Sequence, residues 1–140
     1  MSKEVQPSFA GGMAVENRAG LTLRRVREDL LVCISGVGKV NAALAAQFLM
    51  DRFRIRELWN AGVAGCFRPL AVGTLVCATA CVQHDLDVFG DPPGQVPVVE
   101  RVFLPCARPE EDAARLAAAG LPCTTGGVAS GDWFGRDLPR

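Results

Sequence analysis

The sequence predicts an α/β fold, and residues 30–66 supply the observations behind it. Residues 30–34, Leu-Leu-Val-Cys-Ile, are a short run rich in branched apolar side chains, as in a strand buried on both faces. From Lys39 the apolar period becomes helical, with Val40, Leu44 and Phe48 on one stripe and Ala45, Leu49 and Phe53 beside it. Residues 57–61 then read as a second strand. Glycines follow each strand, as Gly36-Val37-Gly38 and as Gly62-Val63-Ala64-Gly65. Glycine frees the backbone to turn sharply or to approach another group closely. Two strand ends are therefore expected side by side, where open α/β sheets hold ligands.

The remaining elements follow in chain order. Residues 1–20 are poorly patterned and broken by Pro7, Gly11, Gly12 and Gly20. Residues 22–26 and 30–34, joined through Arg27-Glu28-Asp29, read as an antiparallel hairpin. Phe67-Arg68-Pro69 is a turn, and residues 72–82 are a long β-prone segment. Residues 83–97 contain His84, three aspartates, two glycines and three prolines, which makes them a loop. A loop of that length in a compact domain is more often functional than idle. Residues 110–118 read as a short helix, with acidic side chains in the first turn and Gly120 at its close. Residues 124–130 read as a strand leading into Ser130-Gly131-Asp132-Trp133-Phe134. Repeats and low-complexity tracts are absent from the sequence.

Bulk properties narrow the function classes. The 140 residues suit one domain with a real core. Fifteen basic residues balance fifteen acidic ones, which argues against a partner bound through phosphate neutralisation, such as a nucleic acid. The arginines at 24, 25 and 27 and at 52, 54 and 56 read as solvated strand and helix ends. The longest apolar run, residues 42–50, is interrupted by Gln47 and falls short of the ~18 residues a membrane span needs. The amino terminus lacks the order of a signal peptide. Six cysteines, at 33, 66, 77, 81, 106 and 123, contain no C-x-x-C pair and are expected as reduced thiols of a cytoplasmic protein.

Local motifs leave the chemistry open. Gly36-Val37-Gly38-Lys39 resembles the end of a phosphate-binding loop, but Val40 follows the lysine and Cys33 stands at the first glycine position. The dinucleotide pattern fails as well, at Asn41. What survives is a set of backbone amides at a helix start, facing a ligand. His84, Asp85 and Asp87 form a thin metal set, better read as loop structure, and no metal is expected. His84 is the only histidine, and nothing in the sequence places a nucleophile beside it.

Five segments in order change the weighting. Ser35-Gly36-Val37-Gly38-Lys39-Val40-Asn41-Ala42-Ala43, Asn60-Ala61-Gly62-Val63-Ala64-Gly65, His84-Asp85-Leu86-Asp87-Val88-Phe89-Gly90, Gly94-Gln95-Val96-Pro97 and Ser130-Gly131-Asp132-Trp133-Phe134 lie between residues 35 and 134. Together they resemble the methylthioadenosine/S-adenosylhomocysteine nucleosidases of the purine nucleoside phosphorylase superfamily. The resemblance implies a three-layer α/β fold around a central mixed sheet, incomplete at both ends, with residues 1–140 as a single partial domain. It implies cleavage of the N-glycosidic bond between adenine and a 5′-thio-substituted ribose, through an oxocarbenium-like state. That reaction needs a carboxylate to activate water and an acid for the departing base.

By the same resemblance, Glu4 matches the water-activating glutamate. Val63, Ala64 and Gly65 match the turn on the ribose and water side, and Val37 the lining of the sugar and its 5′ substituent. Phe134, beside Trp133, matches the aromatic that stacks on the base. A small nucleoside as the partner, a homodimer and no cofactor are likewise implied. The family's first strand precedes the position of Met1. Its ribose-binding Met-Glu pair and base-protonating Ser-Asp pair fall beyond Arg140. The chain alone is accordingly expected to have little or no nucleosidase activity, and to be marginally stable or self-associating. The other readings are another member of the same superfamily, a phosphorylase or a futalosine hydrolase, and a non-catalytic interface module. A phosphorylase would want anion-binding arginines at the turns; Arg68 follows the second turn, but residues 35–39 hold none.

Overall fold

The computed structural model describes residues 13–18, as backbone, and residues 21–132. Glu4, Trp133 and Phe134 lie outside the described residues. Two compact units divide the chain, Met1–Trp59 and Asn60–Arg140.

The first unit is an antiparallel sheet with one helix. Strands β1 (Met13–Arg18), β2 (Leu21–Arg27) and β3 (Leu30–Ile34) pair in that order. The expected hairpin is β2–β3, closed by Glu28 and Asp29, with Thr22 opposite Ile34 and Leu23 opposite Cys33. β1 is an addition to the sequence reading, because the flanking glycines hid its short alternating pattern. Its register with β2 shifts between Ala14 and Glu16. β3 is an edge strand and is partly exposed, with Leu30 open to solvent, so the expectation of burial on both faces is not met. A strand is enclosed on both faces only between neighbours and covering layers, and among the described residues β3 has a neighbour on one side alone.

Helix α1 (Lys39–Arg52) begins where the apolar period predicts. Of its two apolar stripes the second is the better covered: Ala45 and Leu49 are buried and Val40 and Leu44 exposed, while Phe48 and Phe53 are both half-buried. Leu21 and Leu23, two apart on β2 and therefore on one face of the strand, complete the buried apolar set among the described residues. Leu23 is fully enclosed.

The second unit holds a mixed sheet, as the fold class requires. β4 (Leu75–Gln83) pairs parallel with β6 (Cys123–Ser130) and antiparallel with the two-residue β5 (Leu104–Pro105). Helix α2 (Pro109–Ala118) lies between β5 and β6 in sequence and packs on β4 and β6, giving a β–α–β unit. Its ends follow from its residues. Pro109 opens the helix, where a missing N–H costs nothing, and Glu110, Glu111 and Asp112 sit at the positive end of the dipole. At the other end Gly120 takes φ 79°, its N–H bonds the Ala117 carbonyl at 2.9 Å and that of Leu121 bonds Leu116 at 3.1 Å. This paired arrangement satisfies the last carbonyls of a helix and favours glycine at the left-handed position.

One expected element does not form. Residues 57–61 take no strand conformation and pair with no strand, so the expected second strand end beside residues 30–34 is absent. Leu58 and Trp59 are exposed, as are Val63, Phe67 and Val72 after them. An apolar run becomes a strand only when a ladder satisfies its amides, and no strand among the described residues offers one here.

Candidate functional site

The first glycine turn is built by its own residues. Gly36 takes φ 82°, and Gly38, at the N-cap of α1, takes φ 102° and ψ 153°. Side chains with a Cβ rarely adopt these values. Val37 between them is about half exposed, at 52%. The side chain of Asn41 reaches back one turn, its Nδ2 donating to the Val37 carbonyl at 2.6 Å. Ser35 Oγ donates to the Gly36 carbonyl at 3.1 Å. Asn41 thus fixes the turn, a role that motif matching missed because that position was read only as a failed third glycine. A side-chain amide four residues downstream of a glycine-flanked carbonyl was the available signal.

The start of α1 suits a ligand with a partial negative charge. The first hydrogen bond inside the helix runs from the Ala42 N–H to the Gly38 carbonyl, at 3.1 Å. The amides of residues 39–41 precede that bond, and the first turn of α1 holds no acidic side chain. Such a terminus concentrates positive potential.

The second glycine turn is placed differently. Gly62, Val63, Ala64 and Gly65 are exposed, Val63 at 97%, and a Cβ added at Gly62 or Gly65 would meet nothing within 4 Å.

In the second unit the structure joins two motifs that lie far apart in sequence. β4 and β6 run parallel and end together, at Gln83 and Ser130, which are paired in register. Just past those ends the His84 N–H donates to the Ser130 carbonyl at 3.1 Å, and the Asp132 N–H donates to Asp85 Oδ2 at 2.7 Å. The His84 imidazole lies against Gly131 so closely that a Cβ there would overlap the ring. The loop after β4 folds back on itself, with the Gly94 N–H bonded to the Leu86 carbonyl at 2.7 Å. Gly94 is buried at φ 81°, and a Cβ on it would press on Val82 and the Gln83 carbonyl at 3.2 Å. His84-Asp85, Gly94 and Ser130-Gly131-Asp132 therefore form one cluster at the carboxyl ends of two parallel strands, the position at which α/β sheets hold ligands. Asp85 serves here as a backbone acceptor, in keeping with the reading of loop structure over metal ligation.

Gly131→Ala tests this packing. It should destabilise the protein by roughly 1–3 kcal/mol through overpacking. Because His84 is the sole histidine, its imidazole proton resonances should shift as well. Gly127→Ala, where the nearest atom to an added Cβ is 4.0 Å away, should leave both nearly unchanged. Equal behaviour of the two variants would refute the contact.

Comparison with known proteins places the chain. The family model of the phosphorylase superfamily matches residues 15–138. The chain belongs to the phosphorylase superfamily. Similar to this superfamily member is the 5′-methylthioadenosine/S-adenosylhomocysteine nucleosidase of Geobacillus kaustophilus, 44% identical over 115 residues, which cover 76% of the chain and 47% of the relative. That of Treponema pallidum is 39% identical, with 91% and 58% covered. The aminodeoxyfutalosine nucleosidase of Campylobacter jejuni is 37% identical, with 76% and 48% covered. Among solved structures, the nucleosidase of Colwellia psychrerythraea in complex with adenine matches at a TM-score of 0.73 and 32% identity, covering 88% of the chain and 54% of that structure. The α/β fold with a mixed sheet is thus that of the superfamily. The chain spans about half the length of the curated relatives it matches.

Proposed function

We propose that this chain carries part of a site that hydrolyses the N-glycosidic bond of 5′-methylthioadenosine or S-adenosylhomocysteine. The observation that carries the reading is the match to nucleosidases of that name at up to 44% identity, over 115 residues. Residues 1–140 form a single partial domain in this reading. Glu4 accepts a proton from the attacking water as the sugar takes on positive charge. Val37 lines the sugar and its 5′ group, and Val63, Ala64 and Gly65 flank the ribose and the water. Trp133 and Phe134, which follow Asp132 in sequence, cover the base. No cofactor, metal, nucleic acid or membrane takes part.

In this reading the protein is a cytoplasmic homodimer. Its cysteines are free thiols wherever the structure describes them, and the exposed apolar side chains Phe67 and Val72 suit burial against a second copy. No helix among the described residues is long and apolar enough to cross a membrane. By itself the chain is expected to release no adenine above background and to run larger than a monomer on a sizing column.

A second substrate reading is favoured by the Campylobacter jejuni relative, whose name specifies aminodeoxyfutalosine. Product analysis separates the readings. The chain is extended to the length of its relatives with the segments that the Geobacillus kaustophilus enzyme carries outside the matched region. It is then given 5′-methylthioadenosine, S-adenosylhomocysteine or aminodeoxyfutalosine, with and without phosphate. Free adenine and a free thio-sugar without phosphate are expected. Cleavage only with phosphate would make it a phosphorylase, preference for aminodeoxyfutalosine would move the substrate, and cleavage of none would leave an interface module.

A further inference from the structure

Four cysteines meet in two pairs on β4, and the proposed reaction uses none of them. Cys77 Sγ lies 3.7 Å from Cys123 Sγ, and Cys81 Sγ lies 3.7 Å from Cys106 Sγ. All four are free thiols and partly exposed, so a small oxidant can reach them. The sheet sets both encounters. Leu75 is the register partner of Cys123 in the parallel pair, and Cys81 that of Leu104 in the antiparallel pair. Each contact is therefore a diagonal one; Cys77 and Cys123 are same-face neighbours on adjacent strands, and Cys106 follows directly on β5, its N–H bonded to the Thr79 carbonyl at 3.0 Å. A disulfide has an S–S length of about 2.05 Å, so each pair must close by less than about 2 Å. The pairs stand four residues apart on β4, roughly 13 Å along an extended strand, too far for one four-sulfur site. Among the described residues no cluster of three or more His, Cys, Asp or Glu is arranged to hold a metal ion.

We propose that Cys77 with Cys123, and Cys81 with Cys106, are two dithiol–disulfide modification sites, oxidised by hydrogen peroxide to bind β4 covalently to β6 and to the segment that follows β5. In each pair one thiolate attacks a peroxide oxygen. The O–O bond breaks, a sulfenic acid forms and hydroxide leaves, taking up a proton to become water. The partner thiol then attacks the sulfenic sulfur. The S–O bond breaks, the S–S bond forms and a second water leaves with the thiol proton. Two thiols and one peroxide thus give one disulfide and two waters; sulfur is oxidised and peroxide reduced.

Burial raises the Cys77 thiol above its ordinary range, with the hydrogen bond to Cys123 and the charges of Cys123 and Asp112 adding to it. Burial raises Cys81 too, with Cys106 contributing in the same two ways. Thiolate is scarce at neutral pH, so the sites respond slowly, and the oxidation rate climbs as pH rises toward the thiol range.

The test is peptide mapping of the purified chain after mild peroxide treatment and alkylation of the remaining thiols. Peptides joined through Cys77–Cys123 and through Cys81–Cys106 are expected, with Cys33 and Cys66 outside any link. Cys123→Ser should erase the first link alone, and Cys106→Ser the second alone. The oxidised chain should melt at least about 5 °C above the reduced one, since each bridge closes a long loop. Absence of either link overturns the proposal for that pair. Links that reach Cys33 or Cys66 as often, or an unchanged melting temperature with both links formed, overturn it for the whole sheet.

Discussion

Glu4→Gln, in the chain extended to the length of its relatives, should lower adenine release from 5′-methylthioadenosine by at least about 10²-fold, with little change in adenine binding. An N-glycosidic bond breaks as positive charge grows on the sugar, and water is a poor nucleophile until a base takes its proton. Gln has nearly the volume and hydrogen-bonding reach of Glu, but it cannot accept that proton at neutral pH. The substitution should therefore strike turnover and spare the base pocket at Trp133 and Phe134. Turnover within a few-fold of the parent would remove Glu4 from the role. A parallel fall in adenine affinity would show that the residue shapes the pocket and does not act on water.

Leu23→Ala should lower the unfolding free energy by about 2–5 kcal/mol, the usual cost of emptying an enclosed leucine site. Leu23 is fully buried on the central strand of the β1–β2–β3 sheet, and Leu21, Ala45 and Leu49 are the other buried apolar side chains among the described residues. Leu44, on the less covered stripe of α1 and 61% exposed, is the control, and Leu44→Ala should stay within about 0.5 kcal/mol. Urea unfolding of the two variants decides the matter: equal midpoints would mean that Leu23 does not lie at the centre of this unit.

What the sequence made legible was local. The β2–β3 hairpin, the start of α1 at Lys39 and the glycine stop of α2 at Gly120 all follow from short-range chemistry, periodicity and backbone freedom. What it hid was pairing. Met13–Arg18 reads as irregular between its glycines, yet joins β2 as a third strand. Residues 57–61 look like a strand, yet lie exposed without a ladder. Strand formation depends on a distant partner, and a single segment does not report whether that partner is supplied. The site divides along the same line. The Gly36-Val37-Gly38 turn was visible as glycine punctuation, whereas the seat of His84 on Gly131 required β4 and β6 to be brought parallel across some forty intervening residues. The roles of Glu4 and Phe134 came from family resemblance alone, since an acid near a terminus and an aromatic after a turn are ordinary features.

The most direct measurement is a crystal structure of the extended chain with adenine and a ribose mimic bound. The account predicts adenine stacked on Phe134, the sugar against Val37 and Val63–Ala64–Gly65, and one water bridging Glu4 to the anomeric carbon, at about 2.6–3.2 Å from the carboxylate. Adenine bound away from Phe134, or a Glu4 carboxylate beyond the reach of a single water, would contradict it.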